Sequence, residues 1–227
     1  RLNLRRGRVV ADRRRRWVNE GLTKFVEILR SSDNDIVRLG DRIMSTLTQY
    51  TRSNQGGLYL FNDEDRANPC LELVSLFAFD IKKYENRRVK LGEGLLGQTF
   101  LERETTYLTQ VPDDYIRITS GLGEDNPRSL LIVPLKLDQQ VFGVVELASF
   151  HLFEEYQISF VEKLGESIAS TLSAVRSAQQ TKRLLDESKS ATEMMRAQEE
   201  EMRQNMEELQ ATQEEMARKE RDYIRRI

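Results

Sequence analysis

Apolar residues recur along this chain with two periods. Val18, Leu22, Phe25, Ile28 and Leu29 fall three and four residues apart, with Trp17 at the edge of their stripe, and predict an amphipathic helix over 17–30. The polar run "SSDND" (31–35) supplies capping side chains. A second helix follows, with Ile36, Leu39, Ile43, Leu47 and Tyr50 on one face. From Gly56 the period shortens. "GGLYLF" (56–61) and "LELVSLFAF" (71–79) read as strands across the turn-rich "NDEDRANP" (62–69). "RRVKL" (87–91) is a short strand, "GEGLLGQTFLERE" (92–104) turns through glycines into a short helix, and "TTYLT" (105–109) is another strand. "QVPDDYIRITSGLGEDNPR" (110–128) reads as a loop. "SLLIVPLKL" (129–137) and "VFGVVELASF" (141–150) form a hairpin across "DQQ". From about Glu154 to Ile227 nothing interrupts a helix except Gly165, and at ~1.5 Å per residue that helix runs roughly 100 Å. The pattern predicts an α+β fold, an antiparallel sheet with helices leaving at both ends, and a core over about 34–175.

The last fifty residues carry few apolar positions, but these are in register. Tyr223, Met216, Leu209, Met206, Met202 and Met195 keep the four-three spacing of a coiled coil without a slip. Glu199, Gln213 and Glu220 occupy the same seam, where a parallel homodimer sets like charges face to face. Glu199–Arg203, Glu214–Arg218 and Glu215–Lys219 have the favourable i,i+4 order within one helix, worth a few tenths of a kcal/mol each. Upstream, Ile168, Leu172 and Val175 run in another phase, so the seam shifts near 175–185. The segment reads as a two-stranded coil able to occupy two registers, or as a solvated single helix. Five of the six methionines lie here, and their spacing is that of the seam, not of a metal cluster.

Composition adds limits. Hydrophobic residues make up 39% and charged residues 32%, the net charge is −2, and there is no apolar run of the ~20 residues a membrane span needs. The balance is uneven: residues 1–16 hold eight Arg and one Asp, whereas 193–215 hold eight Glu and two Arg. The Arg-rich start fits an anionic membrane surface just inside a span. As a nucleic-acid arm it lacks the residues that read bases, so no specific nucleic-acid partner is expected. The single cysteine, Cys70, excludes an internal disulfide and fits a reducing compartment.

Four stretches in order, "DIVRLGDRIMSTLTQYTRSNQGGLYLF", "LGEGLLGQTF", "SLLIVPLKLDQQVFGVVELASF" and "FEEYQISFVEKLGESIASTL", cover about 140 residues. Together they resemble a GAF domain, the small-molecule-sensing module of signalling proteins. The resemblance implies an antiparallel sheet with the opening and closing helices packed on one face, ligands on the other, and parallel dimers. The tail is similar to linkers that join such domains to a following sensor or output domain in bacterial receptors and kinases. Four segments are therefore expected: an Arg-rich juxtamembrane segment (1–16), an N-terminal signalling helix (17–33), the GAF domain (34–175) and a coiled-coil linker (176–227). The dimer interface is expected at Phe25, Ile28, Leu164, Ile168, Leu172 and Val175, which spacing leaves with little else to cover them, and along Met195, Met202, Met206, Leu209, Met216 and Tyr223.

Mapped onto this sequence, the ligand pocket is lined by Phe79, Tyr107, Tyr115, Ile116, Ile118, Ser120, Leu130, Ile132 and Glu146. The mixture of hydroxyls, amides and apolar walls suits a small polar ligand; the same residues also suit an ordinary closed core. Family cofactors are discounted. The Asn-Lys-Phe-Asp-Glu signature of cyclic-nucleotide binding is absent, Cys70 stands in a loop without a bilin motif, and His151 sits at a strand end, away from any haem pocket. No metal site is expected on ligand count. A GAF-fold methionine-sulfoxide reductase uses several cysteines, and the long helix holds no phosphoacceptor histidine. The chain is accordingly expected not to be catalytic. The expected role is the relay module of a bacterial receptor, on the cytoplasmic side of an inner membrane that anchors the full-length protein, feeding a histidine kinase, cyclase or similar output domain. The alternatives are a passive dimerisation spacer and the regulatory domain of an enzyme.

Overall fold

The computed structural model describes residues 2–30, 35–78, 81–83, 87–113, 115, 118–120 and 123–225. The chain forms two compact units, Arg1–Arg176 and Ser177–Ile227.

In the first unit, helix α1 (Leu2–Arg30) precedes α2 (Ile36–Thr51). The Asp35 carboxylate caps α2, accepting from the amides of Val37 and Arg38 at 3.0 and 3.3 Å. Strands β1 (Gln55–Asn62), β2 (Cys70–Ala78), β3 (Ile81–Lys83) and β4 (Arg88–Lys90) follow, then helix α3 (Gly94–Glu102) and β5 (Thr106–Leu108). A small hairpin of β6 (Ile118–Ser120) and β7 (Gly123–Asp125) leads to β8 (Ser129–Leu137) and β9 (Gln140–Ser149), and α4 (Glu155–Ile224) closes the chain. The main sheet is antiparallel in the order β3-β2-β1-β9-β8-β5, with β4 also paired to β2.

Local chemistry places these elements. The β8–β9 turn closes at Leu137–Gln140 because Asp138 adopts a left-handed φ of 52°, which aspartate tolerates better than most residues. The turn into α3 needs glycine for a steric reason. A Cβ on Gly97 would lie 2.5 Å from the Lys90 carbonyl oxygen, so only a bare Cα lets the helix seat on the end of β4.

Two apolar clusters cover the two faces of the sheet. On one face α1, α2 and the start of α4 bury Phe25, Leu47, Phe160 and Leu164 against Leu131, Val133, Val145 and Leu147. On the other face Leu96 and Val89 pack with Tyr59, Leu130, Ile132 and Val144.

Several expectations change here. Phe25, Ile28, Leu164, Ile168 and Leu172 belong to the helix-side core of this same chain, and Val175 is buried too, so these six are not free for a dimer seam. An apolar stripe says that a face is covered; here the cover is intramolecular. Of the Arg-rich 1–16, residues 2–16 are one helix with 17–30. Cys70 opens strand β2 instead of lying in a loop, and the 110–128 stretch contains the β6–β7 hairpin. Residues 31–33, part of the expected signalling helix, lie outside the described residues.

The second unit is helical as expected. Met195, Met202, Met206, Leu209 and Met216 stand 58–68% exposed. Arg203, expected on Glu199, bridges Glu200 and Glu207, each at 2.6 Å, and Lys219 pairs with Glu215 at 2.7 Å. Only the side chain of Tyr223, among the expected seam positions of this unit, lies outside the described residues.

Candidate functional site

Strand alternation decides which residues share the face opposite the helices. Along β9, Val145 and Leu147 point into the helix-side core, and Val144 and Ala148 belong to the opposite cluster. Glu146 falls in the second set. Its register partners are Gly57 on β1 and Ile132 on β8, and it is only 3% exposed. A carboxyl group so placed needs a hydrogen-bonding partner. Tyr115 supplies it, its phenol donating to Glu146 Oε1 at 2.8 Å.

The electrostatics follow from burial. Loss of water pushes the Glu146 carboxyl up from the ordinary carboxylate range, and the Tyr115 hydrogen bond and the Arg87 charge pull part of the way back. Burial also pushes the Tyr115 phenol far up, with the Glu146 charge adding to it. Tyr115 therefore stays a donor throughout the neutral range. The pair offers a buried acid with a shared acceptor oxygen, surrounded by the apolar walls of Ile118, Leu130 and Ile132, all essentially inaccessible. In a ligand site, such a group orients one polar atom of a small molecule.

Of the nine expected lining residues, the structure brings together Tyr115, Ile118, Leu130, Ile132 and Glu146. Tyr107 lies on the other face: it pairs with Leu131, packs against the helix-side core, donates its hydroxyl to the Phe153 carbonyl at 3.1 Å and accepts from the Phe153 amide at 2.9 Å. Ser120 sits on β6, paired with Gly123. Phe79 and Ile116 lie outside the described residues. Two contributors escaped the sequence reading, Tyr59 and Arg87. Alternation through "GGLYLF" places Gly57 and Tyr59 on one face, and a Cβ at Gly57 would come within 3.0 Å of the Tyr59 ring, so β1 offers ring surface beside Glu146 in place of a side chain. Arg87 had no signal beyond its charge; its carbonyl accepts from the Leu73 amide and its cation acts on both members of the pair.

The other singled-out residues are elsewhere. His151 Nδ1 lies 2.7 Å from Ser149 Oγ, and its carbonyl accepts from Ser129 Oγ at 2.6 Å, so it ties the end of the β8–β9 hairpin. Cys70, half-buried and a free thiol, stands opposite Asn62 and Lys90 and lines a surface cleft with Arg88 and Glu93. Among the described residues no group of three or more His, Cys, Asp or Glu could hold a metal ion, and no helix is long and apolar enough to cross a membrane.

Solved structures share this fold. The free methionine-R-sulfoxide reductase of Neisseria meningitidis, in complex with its substrate, is 23% identical over 71% of this chain and 91% of its own, with a TM-score of 0.57. The GAF domain of a phosphoenolpyruvate-protein phosphotransferase from Coxiella burnetii is 17% identical over 72% and 96%, with a TM-score of 0.56. The nlh2 GAF domain of A. aeolicus, in an inactive state, is 15% identical over 71% and 98%, with a TM-score of 0.55. No curated protein matches the chain. The likeness to a reductase corrects the expectation of a non-catalytic chain: enzymes and non-enzymatic GAF domains share this fold, and the fold gives no ground for excluding catalysis. These identities show the fold alone. Over residues 33–173 the sequence matches the GAF domain family, and the chain belongs to that family.

Proposed function

We propose that this chain is the sensory and relay module of a bacterial signal-transduction receptor, built on a domain typical of sensory proteins. A small molecule binds on the sheet face opposite the helices and engages Glu146 and Tyr115. The carrying observation is the buried Glu146–Tyr115 hydrogen bond: a carboxyl group inside an apolar cluster costs stability, and a single phenol donor offsets that cost only in part. The response passes into α4, whose C-terminal part pairs with a second copy of this chain in parallel. The exposed stripe of Met195, Met202, Met206, Leu209 and Met216 supports that pairing, and the helix-side residues expected there are withdrawn from it. An output domain such as a histidine kinase or cyclase follows in the full-length protein. The Arg-rich beginning of α1 faces an anionic membrane surface on the cytoplasmic side.

Native mass spectrometry of the whole chain, before and after mild denaturation, tests this reading. The expected result is a dimer carrying a small adduct that denaturation releases and that Glu146→Gln reduces. A dimer without adduct, unresponsive to a metabolite panel, replaces the sensor with a passive spacer. A monomer removes the paired rod.

A further inference from the structure

Where α1 meets α4, the only tryptophan of the chain sits among aromatic rings from two other elements. Trp17 stacks on Tyr50 of α2 with centroids 4.6 Å apart, and meets Tyr156 and Phe160 of α4 edge-on at 5.2 and 5.0 Å. The Tyr50 hydroxyl donates to the Trp17 carbonyl at 2.5 Å, joining α2 to α1. One turn before it, Arg14 bonds Glu154 Oε2 at 2.5 Å and lies 5.3 Å from the Tyr156 ring centroid. One turn after it, Gly21 lets the rings close in: a Cβ there would be 2.6 Å from Tyr50 and 2.7 Å from Phe160.

The two ends of α1 are held differently. Phe25, Ile28 and Leu29 are built into the core, while Arg8 to Arg13 are exposed, Val9 and Val10 among them. Gly21, the weakest helix former in this stretch, lies between the rooted and the free parts. Beside the ring cluster a groove of about 530 Å³, lined in part by Arg14, Val18, Lys163 and Phe160, leaves room for the side chains to rearrange.

We propose that Arg14 and Trp17 form a releasable clasp through which the N-terminal arm of α1 holds the first turns of α4. Displacing the arm withdraws Trp17 from Tyr156 and Phe160 and frees α4 at Glu155–Lys163, while Phe25 and Ile28 keep the root of α1 in place. The clasp rests on the relay reading for its purpose, since it names the input contact of that relay, but not for its existence.

Hydrogen exchange on the whole chain tests it, with Trp17 fluorescence as a second readout. Trp17→Ala is expected to speed exchange in residues 155–163 about tenfold while β8 and β9 keep wild-type protection, and Trp17→Phe to restore most of it. The paired change Arg14→Ala with Glu154→Ala removes the charge contact and the cation beside Tyr156 while keeping all four rings; it is expected to make Trp17 more accessible to acrylamide and to move exchange at 155–163 in the same direction, by less. Unchanged exchange at 155–163 in Trp17→Ala overturns the clasp. So does an increase spread evenly through the sheet, which makes Trp17 an ordinary core residue. Should Trp17→Ala not fold, the charge-deletion pair decides: no change in Trp17 accessibility overturns the proposal. A local increase in a chain that shows neither ligand nor dimer keeps the clasp and rejects the relay.

Discussion

One strand faces two environments in this domain. On the helix side, β9 contributes Val145 and Leu147 to a core closed by Phe25, Leu47 and Phe160, with the phenols of Tyr50 and Tyr107 at its partly buried border. On the opposite side, the same strand offers Val144, Glu146 and Ala148. The first face is made for burial and gains from every methylene it covers. The second gives up part of that gain to keep an acid away from water, and recovers some through one phenol. The face that carries stability and the face proposed for recognition are thus separated by the two-residue period of a strand, without separate domains.

The sharpest way to break this contrast is to damage the helix face. Phe160→Ala is expected to cost about 3–5 kcal/mol, since it removes a fully buried ring and opens a cavity among Trp17, Tyr50 and Phe25; urea unfolding measures it. Tyr115→Phe should cost less, about 1–3 kcal/mol, because it deprives a buried carboxyl of its donor while keeping the ring. It should also raise the titration of Glu146 further, visible by carboxyl NMR, because the lost hydrogen bond had been lowering it.

The pH dependence separates the faces more finely. With its folded value raised above the ordinary carboxylate range, Glu146 binds its proton more tightly when folded. Its contribution therefore favours the fold below the unfolded value and is lost as pH rises from there through the folded value. Glu146→Gln should flatten that part of a stability-versus-pH curve, whereas Phe160→Ala should shift the whole curve without changing its slope. The smallest effect is expected in the second unit. Arg203→Ala breaks exposed pairs with Glu200 and Glu207 and should lower helicity at 222 nm slightly, leaving unfolding of the sheet domain untouched.

Periodicity exposed most of the fold. The stripe of Leu39, Ile43 and Leu47, the apolar β8–β9 pair and the unbroken run after Glu154 are long enough for their repeat to be unambiguous. The short strands were not. β3, β6 and β7 have three residues each, too few to alternate visibly. The same shortness misplaced Tyr107. On the three-residue β5, nothing in the sequence fixes the register, and a slip of one residue exchanges the faces. Glu146 was legible because a lone acid inside "VVELASF" contradicts its surroundings. Its neighbour Tyr59 was not, since a tyrosine in a strand contradicts nothing. The apolar residues of α4 show a third kind of limit: Leu164 and Leu172 announce a covered face without naming the cover.

The exposed helix of the second unit also sets a proteolytic clock. It has no apolar cover of its own, and its lone-chain stability rests on local pairs such as Arg183–Glu187 and Lys219–Glu215, so single turns open without disturbing their neighbours. Among the trypsin sites along it are Arg183, Lys189, Arg196 and Arg203. In a solitary chain, cleavage should begin at any of these and leave a resistant fragment near the unit boundary at Arg176. Once a second helix covers the methionine stripe, the turns open only together, and all four cleavages should slow in concert as protein concentration rises. The order in which the bands vanish then reports whether the rod behaves as a string of independent turns or as one cooperative element.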